Sequence, residues 1–328
     1  MKINEITNYL ESLAPLYLQE DYDNSGLITG NKSWNVSNVL VCLDCTEDVV
    51  DEAIARSCNL IIAHHPIVFS GLKSIVGKNY IERTIIKAIK NDIAIYAIHT
   101  NLDNIKEGVN AVIGKKIGLE NTKILRPKKN FIKKLSFYSP VSDAQRLKIL
   151  LWEAGAGNIG NYSHCSFSTT GQGTFMGNDD SKPSLGQKKV LHAEKEEKIE
   201  MILPLHLQNK ILNTLFSEHP YEEVAYEIHL LDNVNQNIGS GIFGKLKTPM
   251  KSNDFLKLLK KVMQTDCIRY TDLNKEYIET VAVCGGSGSF LLDDAKKVKA
   301  DILITADFKY HEFFDAENDI IIADIGHY

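Results

Sequence analysis

Asn59-Leu60-Ile61-Ile62-Ala63-His64-His65-Pro66 is an apolar run that stops at two imidazoles and a proline. Consecutive apolar residues without polar alternation fit a strand buried on both faces, as in parallel sheets covered by helices. Pro66 ends the ladder by removing a donor and restricts His65 to extended or turn conformations. A regular strand sends His64 and His65 to opposite faces, so they share a site only where the chain leaves strand geometry. On its own the pair has two readings: ligands of a transition metal, or histidines satisfied by backbone hydrogen bonds at a strand end.

Outward from this run the pattern alternates. Residues 38–44 are apolar and β-branched, 47–56 place Val49, Val50, Ala53 and Ile54 on one helical face, 81–90 have helical spacing, and 93–98 form another apolar run. Strand, helix, strand in succession predicts a parallel α/β layout. Ligands of such sheets bind outside the carboxyl ends of the strands, where His64, His65, His99 and Asp103 fall. His99-Thr100-Asn101-Leu102-Asp103 offers an imidazole and a carboxylate one short loop apart, although Asp103 also suits the cap of a following helix.

The C-terminal stretch repeats the scheme, with strands at 280–284, 301–304 and 319–323 and helices at 290–298 and 308–314. At an offset of 242, Val39-Leu40-Val41-Cys42 aligns with Val281-Ala282-Val283-Cys284, Asp51 and Ala53 with Asp293 and Ala295, and Ile62 with Ile304. The offset sets Asp307 at the position of His65, and the last strand delivers Gly326-His327 near the same edge. The expectation is two related parallel-sheet halves facing each other with the site between them; chance likeness of two buried strands is the alternative.

Residues 128–245 differ. Strands at 135–138, 163–170, 198–203 and 224–230 alternate with helices at 144–153 and 207–216, two βαβ units in the order of a ferredoxin-like module. Polar segments at 126–130 and 232–241 read as linkers. The expected organisation is a metal-binding α/β domain split into 1–127 and 246–328 by an inserted ferredoxin-like α+β domain at 128–245.

At 328 residues, net charge −5 and 24% charged, the chain has no basic block, which argues against nucleic acid or an anionic membrane as main partner. No run nears the roughly 18 apolar residues of a membrane span and the N-terminus lacks a signal-peptide core, so a cytoplasmic location is expected. Six cysteines sit mostly in apolar or mixed segments, as buried thiols do in a reducing compartment. Cys42-Leu43-Asp44-Cys45 has redox or zinc spacing but no second pair, which favours structural cysteine. Ala154-Gly155-Ala156-Gly157 follows a helix and reads as a helix stop. Gly285-Gly286-Ser287-Gly288 follows a strand and opens a helix, so it suits either an anion cradle or a tight turn. His164, Cys165 and His219-Pro220 read as buried or turn residues, and Asp307, His311 and Glu312 as a helix start.

Asp23-Asn24-Ser25-Gly26-Leu27, Leu43-Asp44 with Thr46-Glu47, His64-His65-Pro66, His99 to Asp103, Gly285 to Gly288, Thr305-Ala306-Asp307 and Gly326-His327 together resemble the dinuclear-metal family of GTP cyclohydrolase 1 type 2 homologues, also called Nif-three-like. Ala154 to Gly157, Asn161-Tyr162 with His164-Cys165-Ser166-Phe167, and His219-Pro220-Tyr221-Glu222-Glu223-Val224-Ala225-Tyr226 resemble the insert of its longer bacterial members, a PII/CutA-like module. The resemblance implies two divalent ions held by His64, His65, Asp103 and His327, and a glutamate one helical turn further on, past Tyr328 where this sequence ends. It also implies a homo-oligomer, a hexamer.

Two ions roughly 3.5 to 4 Å apart suit hydrolysis. The leading expectation is therefore a hydrolase of a nucleotide or related small molecule, with His99 as a candidate catalytic residue that either supports the ligands from behind or transfers protons. The alternatives are a non-catalytic metal-binding or regulatory scaffold, or metal storage. Imidazole with carboxylate suits Zn, Fe, Mn, Ni or Co.

Overall fold

The computed structural model describes residues 1–327. Contacts divide the chain into two compact units, one made of Met1–Pro127 with Asn237 onward and the other of Lys128–Gln236.

In the first unit, strands β1 (Gly26–Thr29), β2 (Val39–Cys42), β3 (Leu60–Ala63) and β4 (Ala94–Ala97) form a sheet in the order β1-β4-β3-β2. β2, β3 and β4 are parallel and β1 is an antiparallel edge. Both faces are covered, as the unbroken apolar runs require. Ile61, Ala63 and Ile95 pack with Val50, Ala53, Ile85 and Ala88 of the helices Glu47–Ala55 and Tyr80–Lys90. Leu60, Ala94 and Tyr96 meet Ile3 of the helix Ile3–Leu13 on the other face. Thr46 caps the first of these helices by accepting from the Val49 amide, and Asn79 caps the second by accepting from Glu82, 2.9 Å.

β5 (Leu119–Lys128) leads to the second unit, whose strands are β6 (Ile132–Pro140), β7 (Phe167–Phe175), β8 (His192–Pro204) and β9 (Tyr226–Leu230). With helices Val141–Ala154 and Gln208–Glu218 the element order is βαββαβ, and the sheet, ordered β7-β8-β6-β9, is antiparallel throughout. Leu135, Phe137, Ile199 and Met201 pack against Leu147, Leu151, Ile211 and Leu215 of the helices. The opposite face is polar, with Glu200 accepting from Lys134 and Ser136. The strand expected at 163–170 starts at Phe167, because the preceding residues turn with His164 at φ +59°.

β10 (Asn235–Lys251), β11 (Arg269–Tyr270), β12 (Tyr277–Ser287), β13 (Ile302–Ala306) and β14 (Ile321–Asp324) complete the first unit in a six-stranded sheet, β11-β14-β13-β12-β10-β5. The unit boundary at Gln236 precedes the expected Lys245, since residues 242–245 pair with β12.

The repeat is real in three dimensions. β12, β13 and β14 are parallel with antiparallel β11 at the edge, in the same order as β2, β3, β4 and β1. Val39 pairs with Leu60 and Val281 with Ile302, partners that coincide at the 242-residue offset. Each half is thus a mixed sheet rather than a purely parallel one. The offset lapses after β13, where the helix expected at 308–314 is a 3₁₀ helix, Tyr310–Ala316, in place of the longer Tyr80–Lys90. No helix of the described residues is long and apolar enough to cross a membrane.

Candidate metal centre

β3 stops at Ala63, but the His64 and His65 amides still donate to the Cys42 and Leu43 carbonyls (3.1 and 3.0 Å) before Pro66 turns the chain away. This bend brings both imidazoles to one side, their rings 5.0 Å apart and tilted by 48°. Two residues past β4, the ring of His99 lies 5.2 Å from each of them and nearly perpendicular to both. One ligand atom each from His64, His65 and His99 lie within 4.8 Å of one another, so this trio could hold a metal ion. Asp103 ends the single helical turn Thr100–Asp103, with Oδ1 3.8 Å from His64 Nε2. It caps nothing, since the next helix, Val109–Ile117, begins after Gly108. From the other half, β14 and Gly326 (φ +85°) carry His327 to a ring distance of 5.2 Å from His65. All five residues singled out in the sequence thus meet where the carboxyl ends of the two sheets face each other.

Each imidazole is anchored through Nδ1. His65 bonds Asp44 Oδ1 (2.8 Å), His99 bonds Asp23 Oδ1 (2.8 Å), His327 bonds Asp307 Oδ2 (2.5 Å), and His64 bonds the Ile98 carbonyl (2.8 Å). A proton held at Nδ1 leaves Nε2 as the lone-pair nitrogen and fixes the ring, which is how metal-binding histidines are oriented. Burial pushes His64 down to about 4, and nearby His99, His65 and His327 push the same way against the carbonyl bond. Burial likewise raises Asp103 to about 7, with Asp23 adding to it and His99 and His327 opposing. Asp23 behaves oppositely. Burial alone would raise it, but hydrogen bonds from His99 and Thr100 and attraction to His99 hold it well below the carboxylate range. Burial and then Asp103 push the Cys284 thiol up to about 12, so it stays protonated and offers no thiolate.

Asp23, Asp44 and Asp307, which anchor these histidines, were given no part in the site by the sequence. Each stood in a quoted motif, but its histidine is 76, 21 or 20 residues away. Asp307 is not a helix residue. It sits at the end of β13 with φ +57°, a conformation Asp tolerates better than most side chains. The glycine turn is mostly engaged by the protein itself: the Gly285 amide donates to Asn110 Oδ1 (2.8 Å) and the Gly286 carbonyl accepts from Thr305 (2.9 Å). The helix after it, Leu292–Lys297, has six residues. Gly286 has a steric role. It holds φ +68°, and a Cβ there would lie 3.1 Å from His327 Nε2. Gly286→Ala is therefore expected to displace His327 and reduce metal bound per chain, as read by elemental mass spectrometry, with loss of about 1–2 kcal/mol from the backbone alone. In the second unit, His219 is satisfied by the Tyr138 carbonyl and the Tyr221 amide, as a turn residue would be.

The sequence matches the Duf34/NIF3 (NGG1p interacting factor 3) family over residues 1–328. A GTP cyclohydrolase 1 type 2 homolog of Bacillus subtilis is 36% identical over 326 residues, 99% of this chain and 87% of the relative. One from Staphylococcus epidermidis is 34% identical, covering 100% of this chain and 89% of its own. Among solved structures, a Bacillus cereus protein related to NIF3 matches with TM-score 0.86 and 40% identity over 100% of this chain and 88% of that one. Reduced HcgD from Methanocaldococcus jannaschii, at 19% identity and TM-score 0.59 over 100% of this chain and 88% of its own, shares the fold. Full-length coverage at these identities, together with the paired sheets, shows that the chain belongs to the Duf34/NIF3 family.

Proposed function

We propose that this chain binds two divalent metal ions through His64, His65, Asp103 and His327, and that it is a hydrolase of a nucleotide or related small molecule. The observation that carries the reading is the shared Nδ1 anchoring of four converging imidazoles, three of them on carboxylates. Histidines kept only for packing have no reason to point a bare nitrogen at one another. The donor set of imidazole and carboxylate, with Cys284 held as a thiol, fits Zn, Fe, Mn, Ni or Co. When bound, a pair of such ions activates water and polarises the group under attack.

The protein's own residues do the rest. Asp44 and Asp307 fix the rings of His65 and His327, and the Ile98 carbonyl fixes His64. His99 moves the proton at Nε2, its ring held in place by the bond between Nδ1 and Asp23. The names of the curated relatives favour a purine nucleotide as the substrate class. The hexamer is proposed from the family resemblance, and light scattering of the purified protein is expected to give six chains.

Elemental mass spectrometry on protein purified without chelator or histidine tag tests the site. About two ions per chain, lost in His65→Ala, is the expected result, and metal-free wild-type protein after reconstitution would sink it. His99→Ala is expected to keep its ions and lose about 10²- to 10⁴-fold in nucleotide hydrolysis. Loss of an ion in that variant would make His99 a ligand. No nucleotide turnover by the metal-loaded wild type would leave a binding scaffold.

A further inference from the structure

Two large aromatic side chains stand at the outer side of the histidine cluster. Phe69 lies three residues beyond Pro66, and its ring meets that of His99 edge-on at 6.2 Å. Tyr22 is adjacent to Asp23, the residue that anchors His99, and its ring is 6.0 Å from Phe69 with an interplanar angle of 31°. Although they pack on each other, Tyr22 is 63% exposed and Phe69 46%. The segments carrying them are stapled by a 2.6 Å bond from Asn24 Nδ2 to the Val68 carbonyl, so the rings are held on tied backbone.

Apolar rings exposed beside convergent polar groups are the composition of a ligand pocket rather than of a solvated surface. The spacing limits what they can do. A sandwiched ring needs roughly 7–8 Å between its neighbours, twice an ordinary carbon contact of about 3.5–4.0 Å. At 6.0 Å and tilted, Tyr22 and Phe69 cannot clamp a ring between them, but they form one continuous face against which a planar ring can lie.

We propose that Tyr22 and Phe69 form a stacking wall that positions the planar heterocycle of the substrate against the histidine cluster. They are positioning and specificity-determining residues, and the inference rests on the metal-dependent hydrolase reading. A substrate class follows: molecules carrying a flat, unsaturated ring next to the bond cleaved, in preference to aliphatic phosphoesters or peptides.

The test compares GMP with ribose 5-phosphate, binding each to metal-loaded full-length protein by titration calorimetry. Base stacking on aromatic side chains predicts that GMP binds about 10- to 100-fold more tightly. In Tyr22→Ala/Phe69→Ala the ratio is expected to fall to near one, with ribose 5-phosphate affinity and metal content unchanged. Tyr22→Phe/Phe69→Tyr is expected to restore it. A ratio near one in the wild type, no measurable GMP binding, or an unchanged ratio in the double alanine variant would each overturn the wall. Metal content and hydrolysis are read separately, so a failed metal centre is distinguished from a failed stacking wall.

Discussion

Asp23→Asn is expected to destabilise the metal-free protein by about 2–5 kcal/mol, because buried donors left without their acceptor cost roughly 1–3 kcal/mol each. The Asp23 side chain is fully buried and satisfies an unusual number of donors. Its Oδ1 accepts from His99 Nδ1 and the Asn24 amide, and its Oδ2 from the Thr100 amide (3.0 Å), the Thr100 hydroxyl and Ser25 (3.1 Å). Asparagine keeps one acceptor but turns amide hydrogens toward groups that already donate, leaving buried donors unmet. For a unit of this size the melting temperature should fall by about 10 °C, and an unchanged melting temperature would refute the account.

The pH dependence has a definite sign. Because the folded-state pKa of Asp23 is depressed, its contribution is complete above the ordinary carboxylate range and is lost as pH falls through and below that range. The wild type should therefore approach Asp23→Asn in stability on acidification below about pH 4. In the same variant the bond that orients His99 falls to a weaker neutral one, so nucleotide hydrolysis should fall along with stability.

The parts of the fold that bury apolar surface were legible. β2, β3 and β4 and their counterparts β12, β13 and β14 announced themselves as apolar runs, and their ends named the histidines. The edges were not: β1 is as short as β2 to β4 but follows a polar loop and opens on a glycine, β11 has only two residues, and both pair along the outer sides of β4 and β14. The 3₁₀ turn Tyr310–Ala316 was read as a helix because Phe313 and Phe314 follow Tyr310 by three and four residues, which is helical spacing. At the site, ligand-type residues were visible because two adjacent histidines before a proline are scarce. Their carboxylate partners were not, since a lone aspartate in a loop is ordinary and only the folded chain shows Asp307 against His327.

Asp103→Asn is expected to do the reverse of Asp23→Asn, stabilising the metal-free protein while abolishing metal binding. Burial raises Asp103 to about 7 in the folded chain, so between pH 4 and 7 the folded state holds a proton that the unfolded state has released. Stability from this group therefore declines as pH rises through that window and is at its lowest above pH 7. Removing the charge should recover roughly 1–3 kcal/mol at pH 8 and little at pH 5. Divalent metal reverses the order: an ion that binds only the folded state at 100 times its dissociation constant adds about 2.7 kcal/mol, which the variant cannot gain. The same proton competes with the metal, so apparent affinity should weaken by up to about tenfold per pH unit below 7, whereas His64, already neutral above about 4, adds nothing to that slope. Thermal melts of wild type and Asp103→Asn at pH 5 and pH 8, with and without metal, would show the curves crossing. If the variant melts lower than metal-free wild type at pH 8, Asp103 is a structural hydrogen-bonding residue and not a carboxylate strained by burial in readiness for an ion.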